Sequence, residues 1–235
     1  MIWERTVPIL AYHRIGEPAG DHVPTVTPES FERQLVWMAK RHYRVIGLEE
    51  VVEKLRRGAP IPPRHLAMIF DDGYEETATI AAPLLRRFEF PATVFVTPNE
   101  IGLPGFMTWE QVRAIGHEGI AIGSHTLHHT YLPLASEEAV ELELVESKRV
   151  LEQELGQTVD WLSYPVGGYT PQAQAVAEAA GYRAACTTNR GVRRRNDDLF
   201  ALRRIKMTER DQYPLSLWVK LSGYYNLFRR FEHPY

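Results

Sequence analysis

Two adjacent carboxylates, Asp71 and Asp72, follow the apolar run 66–70 and precede Gly73. The run reads as a buried strand, and the glycine ends it. Like charges this close push one pKa up unless a cation neutralises them. A metal ion can hold one carboxylate and leave the other as a base. Taken alone, the triplet reads more simply as an acidic turn on the surface. A second stretch, Ser124-His125-Thr126-Leu127-His128-His129, changes the balance, because it follows another apolar run, 119–123. One Asp and two His delivered from the ends of two strands are a common way to hold a catalytic divalent metal.

The elements that must position these residues alternate. Residues 7–15 read as a first strand with Tyr12-His13-Arg14 at its end. Thr27 suits an N-cap and Pro28 the first helical position, with Phe31, Leu35, Met38 and Ala39 as the apolar stripe of the helix. A short strand over 43–46 and a helix over 49–57 lead to the Asp-Asp strand. Beyond it come a helix (75–88), a strand (92–97), a helix capped by Thr108, the His strand (120–124) and a long helix opened by Ser136 and closed by Gly156. Strands follow at 161–164, 182–188 and 201–207, with a helix from Thr170-Pro171 to Gly181 and a last amphipathic helix over about 214–231. Strands alternating with helices mean parallel βαβ units. No strand is followed by G-x-G-x-x-G, so a dinucleotide site is disfavoured. Seven or eight such units fit a barrel better than an open sheet, and barrel chemistry collects at the C-terminal strand ends. Asp71, Asp72, His125, His129 and His13 all fall at such ends.

The chain of 235 residues fits one domain, 44% hydrophobic content allows a sizeable core, and the net charge of -3 gives no reason to expect nucleic acid as a partner. The single cysteine, Cys186, excludes an internal disulfide and any multi-cysteine zinc site. No stretch is long and apolar enough to span a membrane, and the N-terminus lacks a signal-peptide core. The sequence as given predicts a cytoplasmic protein, or an extracytoplasmic one if an export signal has been removed.

The chain resembles the polysaccharide deacetylases of carbohydrate esterase family 4, the NodB-homology domain. The first family motif, T-F-D-D-G, stands as Ile69-Phe70-Asp71-Asp72-Gly73, and the second, H-[ST]-x-x-H, as His125-Thr126-Leu127-His128-His129. Leu10-Ala11-Tyr12-His13-Arg14-Ile15 is similar to the Tyr-His strand of the bacterial poly-N-acetylglucosamine deacetylase branch. The resemblance implies an α/β fold, a distorted (β/α)7-8 barrel, and removal of N-acetyl groups from an N-acetylglucosamine-containing glycan. It implies Asp72, His125 and His129 as ligands of a divalent metal, with zinc first and Ni, Co or Fe as alternatives. His128 fits the ligand spacing less well. Asp71 is then the base and His13 the general acid, since no Leu-x-His lies near the C-terminus.

The third family motif departs from the pattern. Trp161 and Leu162 stand where an arginine that tethers the catalytic aspartate is expected, and Arg203 or, as the preferred candidate, Arg204 could replace it. Val166 follows the motif's Pro165 and would offer its backbone N–H to the oxyanion. Tyr164, Met107 and Trp109 are candidates for the sugar groove, although apolar residues at such positions are more often core. The basic run 193–195 reads as a solvated loop. The tail over 210–235, with Trp218, Leu221, Tyr224, Tyr225, Leu227 and Phe228 among Lys220, Arg229 and Arg230, reads as a helix packed on the barrel; contact with a membrane surface or a partner protein is the sharper alternative. Rival functions are an O-acetyl esterase or other amidase on the same fold, and a non-catalytic glycan-binding or assembly protein.

Overall fold

The structure, a computed structural model, describes residues 6–18, 20, 22–188 and 198–225. Strands Ile9–Tyr12, His65–Phe70, Thr93–Val96, Ala121–Ser124, Trp161–Ser163 and Ala184–Thr187 pair in parallel, each with the next. The last strand closes the ring by changing partners. Leu202–Arg203 pairs with Ala184–Thr187, whereas Ile205–Lys206 pairs with Ile9–Tyr12. The result is a nearly closed α/β barrel in which the segment expected as one strand over 201–207 is two short strands joined at Arg204. The first predicted strand is also divided: Arg14–Ile15 leaves the barrel and pairs with Thr25–Val26.

The period of two along each strand sorts its side chains. Ile9, Ala11, Ala67, Ile69, Phe95, Trp161, Ala184, Cys186 and Leu202 fill the barrel, and all are buried. Gly123 is required there, because a Cβ at that position would lie 2.6 Å from the Phe95 ring. Overpacking of that kind typically costs about 1–3 kcal/mol. The alternate residues, Leu10, Tyr12, Leu66, Met68, Phe70, Val94, Ile122 and Leu162, face the surrounding helices.

The helices start where their caps predict. Thr27, Thr108, Ser136 and Thr170 each accept a backbone N–H three residues on, opening Pro28–Lys40, Trp109–His117, Glu137–Leu155 and Pro171–Ala179. Gly156 ends the long helix in the left-handed conformation. The expected helix over 75–88 differs: a π-turn, Thr77–Ala81, precedes the α-helix Ala82–Arg87. Pro83 lacks the N–H that the Thr79 carbonyl would accept, so the turn widens ahead of it.

At the C-terminal end, the described helix is Pro214–Leu221, with Leu217 and Leu221 buried against the barrel and Leu215 and Trp218 exposed. Lys220 donates to Asp211 and to the Lys206 carbonyl, both at 2.6 Å, and so fastens this helix to the closing strand. Leu227, Phe228, Arg229 and Arg230 of the expected longer helix, and the basic run 193–195, lie outside the described residues. Among the described residues no helix is long and apolar enough to cross a membrane.

Candidate active site at the mouth of the barrel

Extending the interior row by one step on four of the strands gives most of the site. His13 continues Ile9 and Ala11, Asp71 continues Ala67 and Ile69, His125 continues Gly123, and Arg204 continues Leu202. On these four strands, residues that fill the barrel below are succeeded at its mouth by ionisable ones. The ladder carries this regularity to the strand ends: the Asp71 N–H donates to the Tyr12 carbonyl and the His125 N–H to the Val96 carbonyl, both at 2.9 Å.

Asp72 breaks the row. Its φ of 72° is left-handed, a conformation that costs a non-glycine residue on the order of 1–3 kcal/mol. The turn swings its carboxylate across to the His strand. There Asp72 Oδ1 lies 3.3 Å from His125 Nε2 and 3.4 Å from His129 Nε2. The ligand atoms of these three residues all lie within 4.8 Å of one another. The His125 Nδ1–H donates to the Ser163 carbonyl at 2.6 Å, which leaves Nε2 free to ligate. Among the described residues, Asp72 Oδ1 is buried and accepts no hydrogen bond, as is also true of both Asp71 oxygens. Burial would push the Asp72 carboxyl up, yet the imidazoles of His125 and His129 beside it hold it well below the usual carboxylate range. An ionised, under-coordinated oxygen facing two imidazole nitrogens is a donor set that can hold a divalent metal.

Asp71 sits in a different environment. It is fully buried, and Arg204 Nη1 forms an ion pair with its Oδ2. The Arg204 Nη2–H donates to the Tyr164 carbonyl at 2.9 Å. Burial pulls the Arg204 guanidinium down to about 9, so it remains charged at neutral pH. This arginine occupies the switch between the two closing strands, and its own N–H donates to the Thr187 carbonyl at 2.9 Å. His13 Nε2 lies 3.7 Å from Asp71 Oδ2. Burial lowers the His13 imidazole to about 3, against the opposing pull of Asp72, so His13 is neutral at pH 7 in this structure.

Val166 lies on the 3-10 turn Pro165–Gly167 with φ 55°, and its side chain is exposed. The turn is pinned from the neighbouring strand end: Thr188 Oγ1 donates to the Val166 carbonyl at 2.7 Å and Thr187 Oγ1 to the Gly167 carbonyl at 2.6 Å. A side chain at Gly167 would collide with Thr188, so only glycine permits that approach.

A polysaccharide deacetylase family model matches residues 58–185. The chain belongs to the polysaccharide deacetylase family. Relatives include YxkH of Bacillus subtilis (strain 168), 29% identical over 202 residues, covering 86% of this chain and 71% of that protein. The peptidoglycan-N-acetylglucosamine deacetylase of Bacillus cereus is 32% identical over 120 residues, which are 50% of this chain and 54% of that enzyme. The poly-beta-1,6-N-acetyl-D-glucosamine N-deacetylase of Escherichia coli (strain K12) is 24% identical, and the match spans 52% of this chain but 21% of that enzyme. Among solved structures, the Streptococcus pyogenes deacetylase PplD, in complex with acetate, is 26% identical with a TM-score of 0.83, covering 92% of this chain and 97% of that one. IcaB from Ammonifex degensii has the same fold, with a TM-score of 0.80 at 22% identity over 92% of this chain and 98% of that one.

Within this family frame, two expected groove residues are corrected. Tyr164 and Met107 are both fully buried, so neither side chain faces an open groove. The Tyr164 ring stacks on Tyr169 at 5.1 Å, and only its carbonyl reaches the site, through Arg204. Met107 packs in the core beneath the turn, where its N–H donates to the Gly73 carbonyl at 2.9 Å. Trp109 is partly buried against the same core.

One residue close to the site was not anticipated. Glu143, buried on the long helix, accepts from the N–H groups of Leu127 and His128 at 2.8 and 2.9 Å, from His128 Nδ1 at 2.9 Å and from Thr130 Oγ1 at 2.7 Å. Burial would raise this carboxyl, and the donors from His128 and Thr130 bring it below its ordinary value. Its sequence signal is positional. Val140, Leu144, Ser147 and Leu151 form the buried stripe of the helix, and Glu143 lies on that stripe three residues after the first and four before the third.

Proposed function

We propose that this chain is a metal-dependent hydrolase that removes N-acetyl groups from an N-acetylglucosamine-containing glycan or glycoconjugate. The observation that carries the reading is the juxtaposition of two unlike carboxylates: Asp72 facing two imidazole nitrogens, and Asp71 paired with Arg204 beside His13. The family, and the glycan N-deacetylases among its relatives, support the same reaction class.

Asp72, His125 and His129 would hold the metal, with zinc first and Ni, Co or Fe suited to the same donors. A divalent ion there supplies Lewis-acid activation of a water and of the acyl oxygen. The remaining work falls to the chain. Asp71, ionised against Arg204, accepts the proton that the attacking water loses. The Val166 N–H, on its pinned turn, donates to the oxyanion. His13 protonates the departing amine nitrogen. Neutral at rest and 3.7 Å from Asp71 Oδ2, it first takes up the proton that Asp71 received from the water, and the negative charge developing on the acyl oxygen offsets the burial that keeps it neutral.

The test is a panel of N-acetylated glycans scored for released acetate, before chelation, after chelation and with zinc restored. Acetate released from N-acetylglucosamine oligomers, lost on chelation and regained with zinc, is the expected result. Release from O-acetyl substrates alone would replace this reading with an esterase. No release from any substrate, with no metal bound, would favour a non-catalytic module.

A further inference from the structure

We propose that Glu143 is a positioning residue that builds the histidine half of the site. It sets the backbone from which His129 reaches the metal, and it decides which of the two adjacent histidines, His128 or His129, becomes a ligand. The inference rests on the metal reading above.

The argument starts from the shape of the loop. His125 ends its strand, and four residues later His129 must point back at the same place. No helix returns it, because the chain between them is irregular: Thr126 has φ 66° and His129 φ 58°. Two non-glycine residues in left-handed conformation do not hold themselves there; the surroundings must over-determine them. In this loop the consecutive N–H groups of Leu127 and His128 converge, and a buried carboxylate fills the concavity they make. Glu143 Oε2 takes both N–H groups, while Oε1 takes His128 Nδ1 and Thr130 Oγ1. A carboxylate offers about four acceptor sites, so all are used.

The same contacts choose between the histidines. The His128 imidazole is drawn towards Glu143 Oε1, away from the Asp72 cluster, whereas His129 Nε2 lies 3.4 Å from Asp72 Oδ1. The long helix supports the other end of the loop as well. Ser147 Oγ meets Ser124 Oγ at 2.6 Å, and Ser124 Oγ accepts the Thr126 N–H at 3.2 Å. The hydrogen bonds of Glu143 go to Leu127, His128 and Thr130 and not to Asp72, His125 or His129, so its effect is carried by the backbone.

Zinc affinity, measured by competition with a chromophoric chelator on the purified full chain, tests this. Removing groups that orient metal ligands typically weakens binding on the order of 10–100-fold. Glu143→Ala should fall in that range. Glu143→Gln, which keeps an acceptor for the two N–H groups, should lose less, and it keeps the test open if the alanine variant does not fold. Leu151→Ala, a buried truncation two turns along the same helix, should lower Tm yet leave zinc affinity unchanged. Wild-type affinity in both Glu143 variants would overturn the proposal, as would an equal loss of affinity in Leu151→Ala. A wild-type chain that binds no zinc would overturn the metal reading itself and this inference with it.

Discussion

Asp71 meets Arg204 and His13; Asp72, the next residue, meets His125 and His129. Both carboxylates are buried, yet their charges are balanced by different means. On the Arg204 side the chain supplies a full cation from its own closing strand. On the histidine side, among the described residues, the nearest partners are two imidazoles in place of a fixed cation. A buried carboxylate without a fixed cation is costly unless an ion completes it. The comparison therefore divides the labour. The Arg204 side has its charge balanced without metal and can move protons. The histidine side is incomplete without metal and can hold one. A left-handed φ of 72° at Asp72 turns neighbours in sequence into members of opposite halves.

The sharpest way to break this division is to neutralise Asp71 alone. Asp71→Asn should keep zinc affinity and lose about 10²–10⁴-fold in turnover, the range of a general base. Loss of zinc binding in that variant would move Asp71 into the metal half. Next in size is Arg204→Met, which leaves the Asp71 charge buried and unpaired. Removing one partner of a buried pair costs about 3–5 kcal/mol, read as a shift in denaturation midpoint. The double variant Asp71→Asn/Arg204→Met should recover most of that loss. If the single arginine variant is as stable as wild type, Arg204 does not balance Asp71.

The smallest effect concerns His13. Its imidazole is lowered to about 3 from an unfolded value of 6.5, mainly by burial, so between those pH values the unfolded chain binds the extra proton. Stability from this group is therefore fully present above 6.5 and is lost as pH falls towards 3. The slope is at most about 1.4 kcal/mol per pH unit. In chelator, His13→Gln should flatten the stability profile across this window relative to wild type. An unchanged slope would mean that His13 is not held neutral by the fold.

Much of this was legible because the local signals agreed with the fold. Thr27, Thr108, Ser136 and Thr170 announced their helices, and the Asp-Asp and His motifs lay at strand ends as expected. The missing third-motif arginine could be narrowed only to Arg203 or Arg204, because the choice depends on the strand switch that closes the barrel, and ring closure has no local signature. Tyr164 and Met107 were misjudged because a residue at an element's end can face either way; the tertiary contacts bury both. Glu143 was invisible beside Glu141 and Glu146, which are not buried, until its place on the buried stripe was considered. The split of the last strand and the π-turn before Pro83 likewise follow from partners and missing donors that periodicity does not encode.

The division of labour is tested most directly by anomalous diffraction at the zinc edge from a crystal soaked in zinc. The account predicts one strong peak bonded to Asp72 Oδ1, His125 Nε2 and His129 Nε2 at about 2.0–2.2 Å. Asp71 should remain on Arg204, and His128 on Glu143. A peak ligated by Asp71 or by His128, or no peak at this end of the barrel, would contradict it.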